Sequence, residues 1–118
     1  MKKITIVVSI FASLAFAVYA QGKSGGQDLA KKGAQLFQTK GCTACHTIGN
    51  GKLVGPDLKG VTKTRTAAWL TRWLTDPAKM LKTDRTAQAL EKQYGLPMPN
   101  QNLTGAEIKA LIAFLDKQ

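Results

Sequence analysis

The chain has 118 residues, with 17 basic and 7 acidic side chains, a formal net charge of +10, two cysteines and one histidine, and its first 20 residues differ in kind from the 98 that follow. A domain of 98 residues buries only about 60–65% of its unfolded surface, so a prosthetic group would help to complete its core. Two cysteines and one histidine supply at most three of the four Cys/His ligands of a structural zinc site, which excludes a zinc finger within one chain.

The N-terminus reads as an export signal. Lys2 and Lys3 give a positive start, Ile4 to Ala17 is a largely apolar run, and Val18-Tyr19-Ala20 carries small or tolerated residues ahead of a cut. Residues 1–20 are therefore expected to be a signal peptide cleaved after Ala20, leaving Gln21 as the mature end. An uncleaved anchor is the alternative, because Ile4 to Ala20 is 17 residues, at the short edge of a bilayer span. No cysteine lies near the cut and no second apolar run approaches spanning length, so the expectation is a soluble, periplasmic protein. Without Lys2 and Lys3 the chain keeps 15 basic against 7 acidic side chains, a formal +8.

Residues 21–27, Gln-Gly-Lys-Ser-Gly-Gly-Gln, are expected to be a flexible lead-in, and residues 28–118 a single domain. Asp28 is a plausible N-cap for a helix carrying Leu29, Gly33, Leu36 and Phe37 at helical spacing and stopping at Gly41. From Thr47 to Thr62 the glycines and Pro56 break any period, which predicts a long ordered loop, and loops of that length are usually functional. Thr66 can cap a helix with an apolar stripe of Trp69, Leu70, Trp73 and Leu74, ended by Asp76-Pro77. A short helix is predicted from Thr83 or Asp84 to Tyr94, stopped by Gly95. Pro97 and Pro99 keep Leu96 to Asn102 from being helical throughout. Thr104-Gly105-Ala106-Glu107 is a capping box, followed by Ile108, Leu111, Ile112 and Leu115 at i, i+3, i+4 and i+7. The pattern is all-α with long loops.

Chemistry concentrates in Cys42-Thr43-Ala44-Cys45-His46. In a C-x-x-C-H pentad two thiols can add to the two vinyl groups of one porphyrin, and the next residue sets an imidazole beneath the iron. Both tethers and one axial ligand then come from about one turn of chain, and the haem cannot escape. Two other uses of the cysteines remain open. A redox-active dithiol normally opens a helix in a βαβ setting, which is absent from the pattern, and a plain structural disulfide suits an oxidising compartment.

Haem held through His46 leaves a sixth position on iron. His46 is the only histidine, so a second histidine is excluded; Met98 and Met80 remain after loss of Met1, with a lysine as a remote third and a vacant, gas-binding site as a further option. Met98 is favoured because Leu96-Pro97-Met98-Pro99-Asn100 is a stiff non-helical loop whose prolines reduce the entropy lost on ordering. Met80 follows Asp76-Pro77 in a segment that can begin a short helix, and reads as a flexible core filler against the porphyrin edge or the tryptophans.

Taken together, Gly33-Ala34-Gln35-Leu36-Phe37, Gly41 with the pentad, Gly55-Pro56-Asp57-Leu58, Pro97-Met98-Pro99, and Leu103-Thr104 leading into Glu107 to Leu115 resemble a bacterial class I monohaem cytochrome c over nearly the whole mature chain. The stretch from Thr75 to Gly95 departs from any pattern that aligns residue by residue. The resemblance implies a small cytochrome c-like fold of three to five helices around one covalently attached haem c, with N- and C-terminal helices crossing at Gly33, Phe37, Leu111 and Phe114. It implies that the Pro56 carbonyl accepts a hydrogen bond from His46 Nδ1–H, orienting the ring. Metal ligands would be His46 and Met98. Cofactor contacts would be Cys42, Cys45, His46, Pro56, Trp69, Trp73 and Met98, the indoles either bonding propionates or filling core, with Leu53, Val54, Leu58, Leu70 and Leu74 as further walls.

The function implied is a soluble one-electron carrier with no catalysis of its own, working as a monomer. A methionine ligand and an apolar pocket both disfavour ferric iron and raise the potential. The alternatives are a haem protein that binds a small ligand, as sensor or weak peroxidase, and an electron-transfer subunit of a larger redox enzyme. For an exported protein the positive charge argues against nucleic acid. It suits redox partner proteins with acidic docking surfaces, with Lys40, Lys52 and Lys59 as the first rim candidates, and it also suits peripheral membrane association at anionic headgroups. Ordinary solubilising charge is the plain alternative.

Overall fold

A computed structural model describes the backbone of residues 17–118 and the side chains of residues 25–118; most of the expected signal segment therefore lies outside the described residues. Six α-helices and one 3-10 turn account for the regular structure described, with no strand among these residues. They are α1 (Ala17–Thr39), the 3-10 turn Cys42–Ala44, α2 (Val61–Thr64), α3 (Ala67–Thr75), α4 (Pro77–Thr83), α5 (Arg85–Tyr94) and α6 (Gly105–Leu115). The fold is all-α, and six helices stand where three to five were expected because the short α2 and α4 lie between longer elements.

Helix α1 runs through residues 21–27, the expected lead-in, and Asp28 lies inside the helix rather than capping it. Once the turns around Leu36 and Phe37 are fixed by packing, each further residue adds a hydrogen bond without a new nucleation cost. Glycine costs a helix only about 1 kcal/mol relative to alanine. The described part of that stretch has no core role: residues 25–29 are exposed, and a Cβ at Gly25 or Gly26 would meet nothing.

Packing begins at Gly33, where α1 crosses α6. A Cβ built there would lie 2.6 Å from both the Ala110 carbonyl carbon and Phe114 Cβ, so only a residue without a side chain permits this approach. The core around the crossing is Leu36, Phe37, Ala110, Leu111 and Leu115. Phe37 and Phe114 meet with ring centroids 5.4 Å apart and planes tilted by 49°, a favoured aromatic arrangement. The predicted capping box closes the start of α6: Glu107 N–H donates to Thr104 Oγ1, and Thr104 N–H donates to Glu107 Oε2 at 2.8 Å. Lys40 pairs with this glutamate at 3.3 Å and links the end of α1 to the start of α6.

Three helices follow in close succession, separated by aspartates. Thr66 caps α3 through Trp69 N–H. Asp76 closes α3 and opens α4, accepting from Lys79 N–H at 3.0 Å with Pro77 in the first turn. Asp84 does the same for α5, accepting from Ala87 N–H at 3.0 Å. Met80 is 5% exposed inside this arm, a core position. The chain then leaves α5 at Gly95 and runs without helix to Thr104.

Candidate functional site

The turn that carries the cysteines is held by its own backbone. Cys45 and His46 N–H both donate to the Cys42 carbonyl, at 3.1 and 2.9 Å, which gathers the two thiols and the imidazole on one tight turn. Both cysteines are free and half-buried. Burial pushes the Cys42 thiol up, the opposite of the shift that activates a redox dithiol.

Two crossings fasten the following loop to that turn. Gly55 N–H donates to the Cys45 carbonyl at 2.7 Å, and Leu58 N–H donates to the Thr47 carbonyl at 2.9 Å. Between them, His46 Nδ1–H donates to the Pro56 carbonyl at 2.9 Å. That bond commits Nδ1 to the protein and leaves Nε2 as the nitrogen able to bind a metal. The ring is confined sterically as well: a Cβ on Gly55 would stand 2.6 Å from His46 Cε1.

Asp57, the residue after that proline, was not singled out by the sequence. Its carboxylate accepts from the backbone N–H groups of Gly49 and Gly51, each at 2.8 Å, and of Lys59 at 2.9 Å. Those bonds hold its carboxyl below the usual carboxylate range, Gly49 contributing most. A readable signal did exist: an aspartate two positions before Lys59, among closely spaced glycines, is the pattern of a side chain that organises a turn.

A cavity of about 410 Å³ opens beside this loop, within the usual size range for ligand sites. Cys42, Cys45, His46, Pro56, Trp69, Trp73 and Met98 all line it, as do the expected walls Val54, Leu58, Leu70 and Leu74. Leu53 does not; it is 48% exposed. Phe37, Leu111 and Leu115 carry the α1–α6 core into the cavity, and Leu90, Tyr94 and Leu96 add walls that the sequence reading missed. Met98 lines the cavity and Met80 does not. Neither indole N–H is idle. Trp69 Nε1–H donates to Asp84 Oδ1 at 3.3 Å, and Trp73 Nε1–H donates to Met98 Sδ at 3.2 Å.

An apolar cavity with two unpaired thiols and an oriented imidazole at its wall suits a large, flat, covalently tethered group. Comparison with known proteins decides which. The family model for cytochrome c matches residues 30–118.

The chain belongs to the cytochrome c family.

Membership brings covalently bound haem c with its iron, and the role of a haem electron carrier. Cytochrome c-551 of Azotobacter vinelandii is 38% identical over 80 residues, covering 67% of this chain and 88% of that protein. Among solved structures, a cytochrome c from Rhodothermus marinus is similar with a TM-score of 0.72 and 26% identity, covering 99% of this chain and 86% of that one. The cytochrome c domain of a Pseudomonas putida protein is 46% identical, with a TM-score of 0.64, over 72% of this chain and 85% of the other. An engineered form of the Rhodothermus cytochrome has been captured with a carbene intermediate.

Proposed function

We propose that the chain is an exported one-electron carrier whose haem c is tethered by Cys42 and Cys45 and ligated by His46 and Met98. The observation that carries this reading is the shared cavity: Cys42, Cys45, His46 and Met98 line one apolar space, and Met80 lies outside it. When bound, haem iron supplies the exchange between ferric and ferrous states.

The chain's own residues define the rest. Pro56 keeps Nδ1 of His46 occupied and makes the imidazole a more basic donor through its other nitrogen. A thioether at Met98 and apolar walls from Leu70, Leu74 and Leu111 disfavour added positive charge and favour the reduced form. Ligation by His46 and Met98 would leave little to reorganise when charge changes, which would suit electron exchange without chemistry on a substrate.

Export rests on Lys2, Lys3 and the apolar run from Ile4, with a cut after Ala20 and a periplasmic destination. No helix among the described residues is long and apolar enough to cross a membrane. Redox partners with acidic docking surfaces fit the net positive charge. Lys59 lines the cavity, and Lys52 lies 5.1 Å above the ring of Tyr94, a cavity residue. Val54 and Leu96, at 43% and 64% exposure, give the same rim an apolar component.

The test is spectroscopic. Haem should survive acid–acetone extraction, and the ferric protein should show the weak far-red sulfur-to-iron absorption. Met98→Ala should abolish that band and Met80→Ala should retain it. Rapid stoichiometric binding of carbon monoxide by the reduced wild-type protein would instead identify a ligand-binding haem protein.

A further inference from the structure

Helices α4 and α5 form an arm between Asp76 and Gly95. Its base is well fastened. Pro77 and Met80 are buried there, Gln88 Nε2–H donates to the Leu81 carbonyl at 3.0 Å, and Asp84 Oδ1 accepts from Trp69 Nε1–H at 3.3 Å; Trp69 is itself stacked on Trp73, with ring centroids 5.6 Å apart. Its tip is held differently. Tyr94, the last residue of α5, lines the cavity, yet among the described residues no hydrogen bond joins residues 85–98 to residues 46–60. What reaches across is the Lys52 ammonium, 5.1 Å over the Tyr94 ring, within the range of a cation–π attraction.

Lys52 is a fixed anchor. On one side of it Gly51 N–H donates to Asp57 Oδ2 at 2.8 Å; on the other Leu53 N–H donates to the Gly55 carbonyl at 3.1 Å, and Gly55 is tied to Cys45. Tyr94 in turn stands four positions before Met98, with Pro97 between them. Four residues span at most about 14 Å and the proline ring removes one backbone rotation, so an outward movement of Tyr94 draws Met98 with it. We propose that Lys52 and Tyr94 form a clasp between the His46 loop and the tip of the arm, which keeps the Met98 segment in place and so excludes small external ligands from the sixth position of the iron. The inference rests on Met98 being the sixth ligand. Lys52 is a positioning residue acting through Tyr94: it favours the internal thioether over an external competitor without touching the metal.

Two measurements test this. In the reduced, haem-loaded wild-type protein, the Lys52 side-chain methylenes should show a nuclear Overhauser effect to the Tyr94 ring. The second titrates the ferric protein with imidazole at mildly alkaline pH, where the probe is uncharged and long-range steering by a lysine does not act on it; loss of the far-red band reads displacement of Met98. Lys52→Gln and Tyr94→Leu should each raise imidazole affinity about threefold, the ordinary worth of an exposed cation–π contact. The double variant should stay at about threefold, because the contact can be lost only once. Lys52→Arg keeps a cation over the ring and should bind imidazole as wild type does. A missing Lys52–Tyr94 effect in the wild-type protein would overturn the proposal even if the Tyr94 variant does not fold. Single effects that multiply to about ninefold in the double variant would overturn it too, as would an unchanged affinity in Lys52→Gln or a Lys52→Arg variant that behaves like Lys52→Gln. A far-red band that survives Met98→Ala defeats the ligand assignment and the inference with it, an outcome distinct from the others.

Discussion

Around His46 the chain is cross-tied by backbone: Gly55 to Cys45 and Leu58 to Thr47, the imidazole to Pro56, and Asp57 to three N–H groups. The segment around Met98 is held differently. Its internal bonds span two residues, Gln101 Nε2 to the Pro99 carbonyl and Asn102 N–H to Asn100 Oδ1, and Asn102 takes a left-handed conformation with φ of 51°. Met98 itself is reached by a side chain, Trp73. One wall is thus set by main-chain geometry, and the other depends on an indole positioned by its neighbours. Equal chemical insults to the two walls should have unequal effects.

Removing His46 or Met98, the proposed ligands, should separate the walls most widely. His46→Ala should reduce covalently retained haem to background, because the imidazole is built into the same turn as both thiols. Met98→Ala should leave the haem attached, abolish the far-red band and admit carbon monoxide. Haem staining after acid–acetone extraction reads the difference; equal haem loss in both variants would mean that attachment depends on the two walls alike.

Packing gives the next contrast. Gly55→Ala puts a methyl 2.6 Å from His46 Cε1, and a wall tied at Cys45 and Pro56 cannot yield, so it should cost about 1–3 kcal/mol in thermal or denaturant unfolding. Leu96→Ala, at a position 64% exposed on the other wall, should stay within about 0.5 kcal/mol. A Gly55→Ala variant as stable as wild type would show that the His46 wall is softer than its bonds imply.

Acid should then probe the carboxylates behind each wall. Hydrogen bonds from Gly49, Lys59 and Gly51 hold Asp57 below the ordinary carboxylate range. Ala87 N–H is the main cause of the same direction at Asp84. With the folded value below the unfolded one, each group contributes stability that is fully present above the ordinary range and is lost as pH falls through it. Asp57→Asn should therefore be less stable than wild type at neutral pH, and the gap should close toward acid. Asp84→Asn should show the same convergence, with the far-red signal affected before the global fold. If the curves for Asp57→Asn and wild type run parallel from neutral to acid pH, the turn-organising role of that carboxylate fails.

Legibility in the sequence followed the same division. The pentad, Gly33, the capping box at Thr104 and the Met98 loop each depend on a local residue pattern or a steric demand, and each lies where that pattern indicates. Asp57 was legible only as a turn residue among glycines, with partners two to eight positions away. The Asp84–Trp69–Trp73–Met98 contacts were not legible, because the tertiary fold alone brings them together: Trp73 and Met98 are 25 positions apart, and Trp69 and Asp84 are 15. Helix α4 was legible as a segment that can begin a short helix. Asp76-Pro77 reads as a stop, yet it also satisfies the N-cap and first-turn preferences of a new helix. Lys40 shows that a lysine's place in sequence does not reveal its partner, since Glu107 claims it.

The smallest effect expected concerns the approach to the cavity, and it asks whether an encounter spans both walls. Lys59 follows Asp57 on the His46 side, whereas Lys52 rides over Tyr94, on the α5 side that leads to Leu96 and Met98. Neutralising either should slow oxidation of the reduced protein by ferricyanide about twofold at low salt, through loss of part of the local attraction. Both effects should shrink as the Debye length falls to about 8 Å near physiological ionic strength. Lys117→Gln, next to the last residue of the chain, is the control and should do less. If Lys59→Gln alone responds, the anion enters over the rigid wall; if Lys52→Gln alone responds, it enters over the adjustable one. Equal responses place the encounter across the mouth, where the His46 turn and the α5–Met98 side both contribute charge. A rate insensitive to both substitutions and to salt would reject steering and leave the positive charge a matter of solubility.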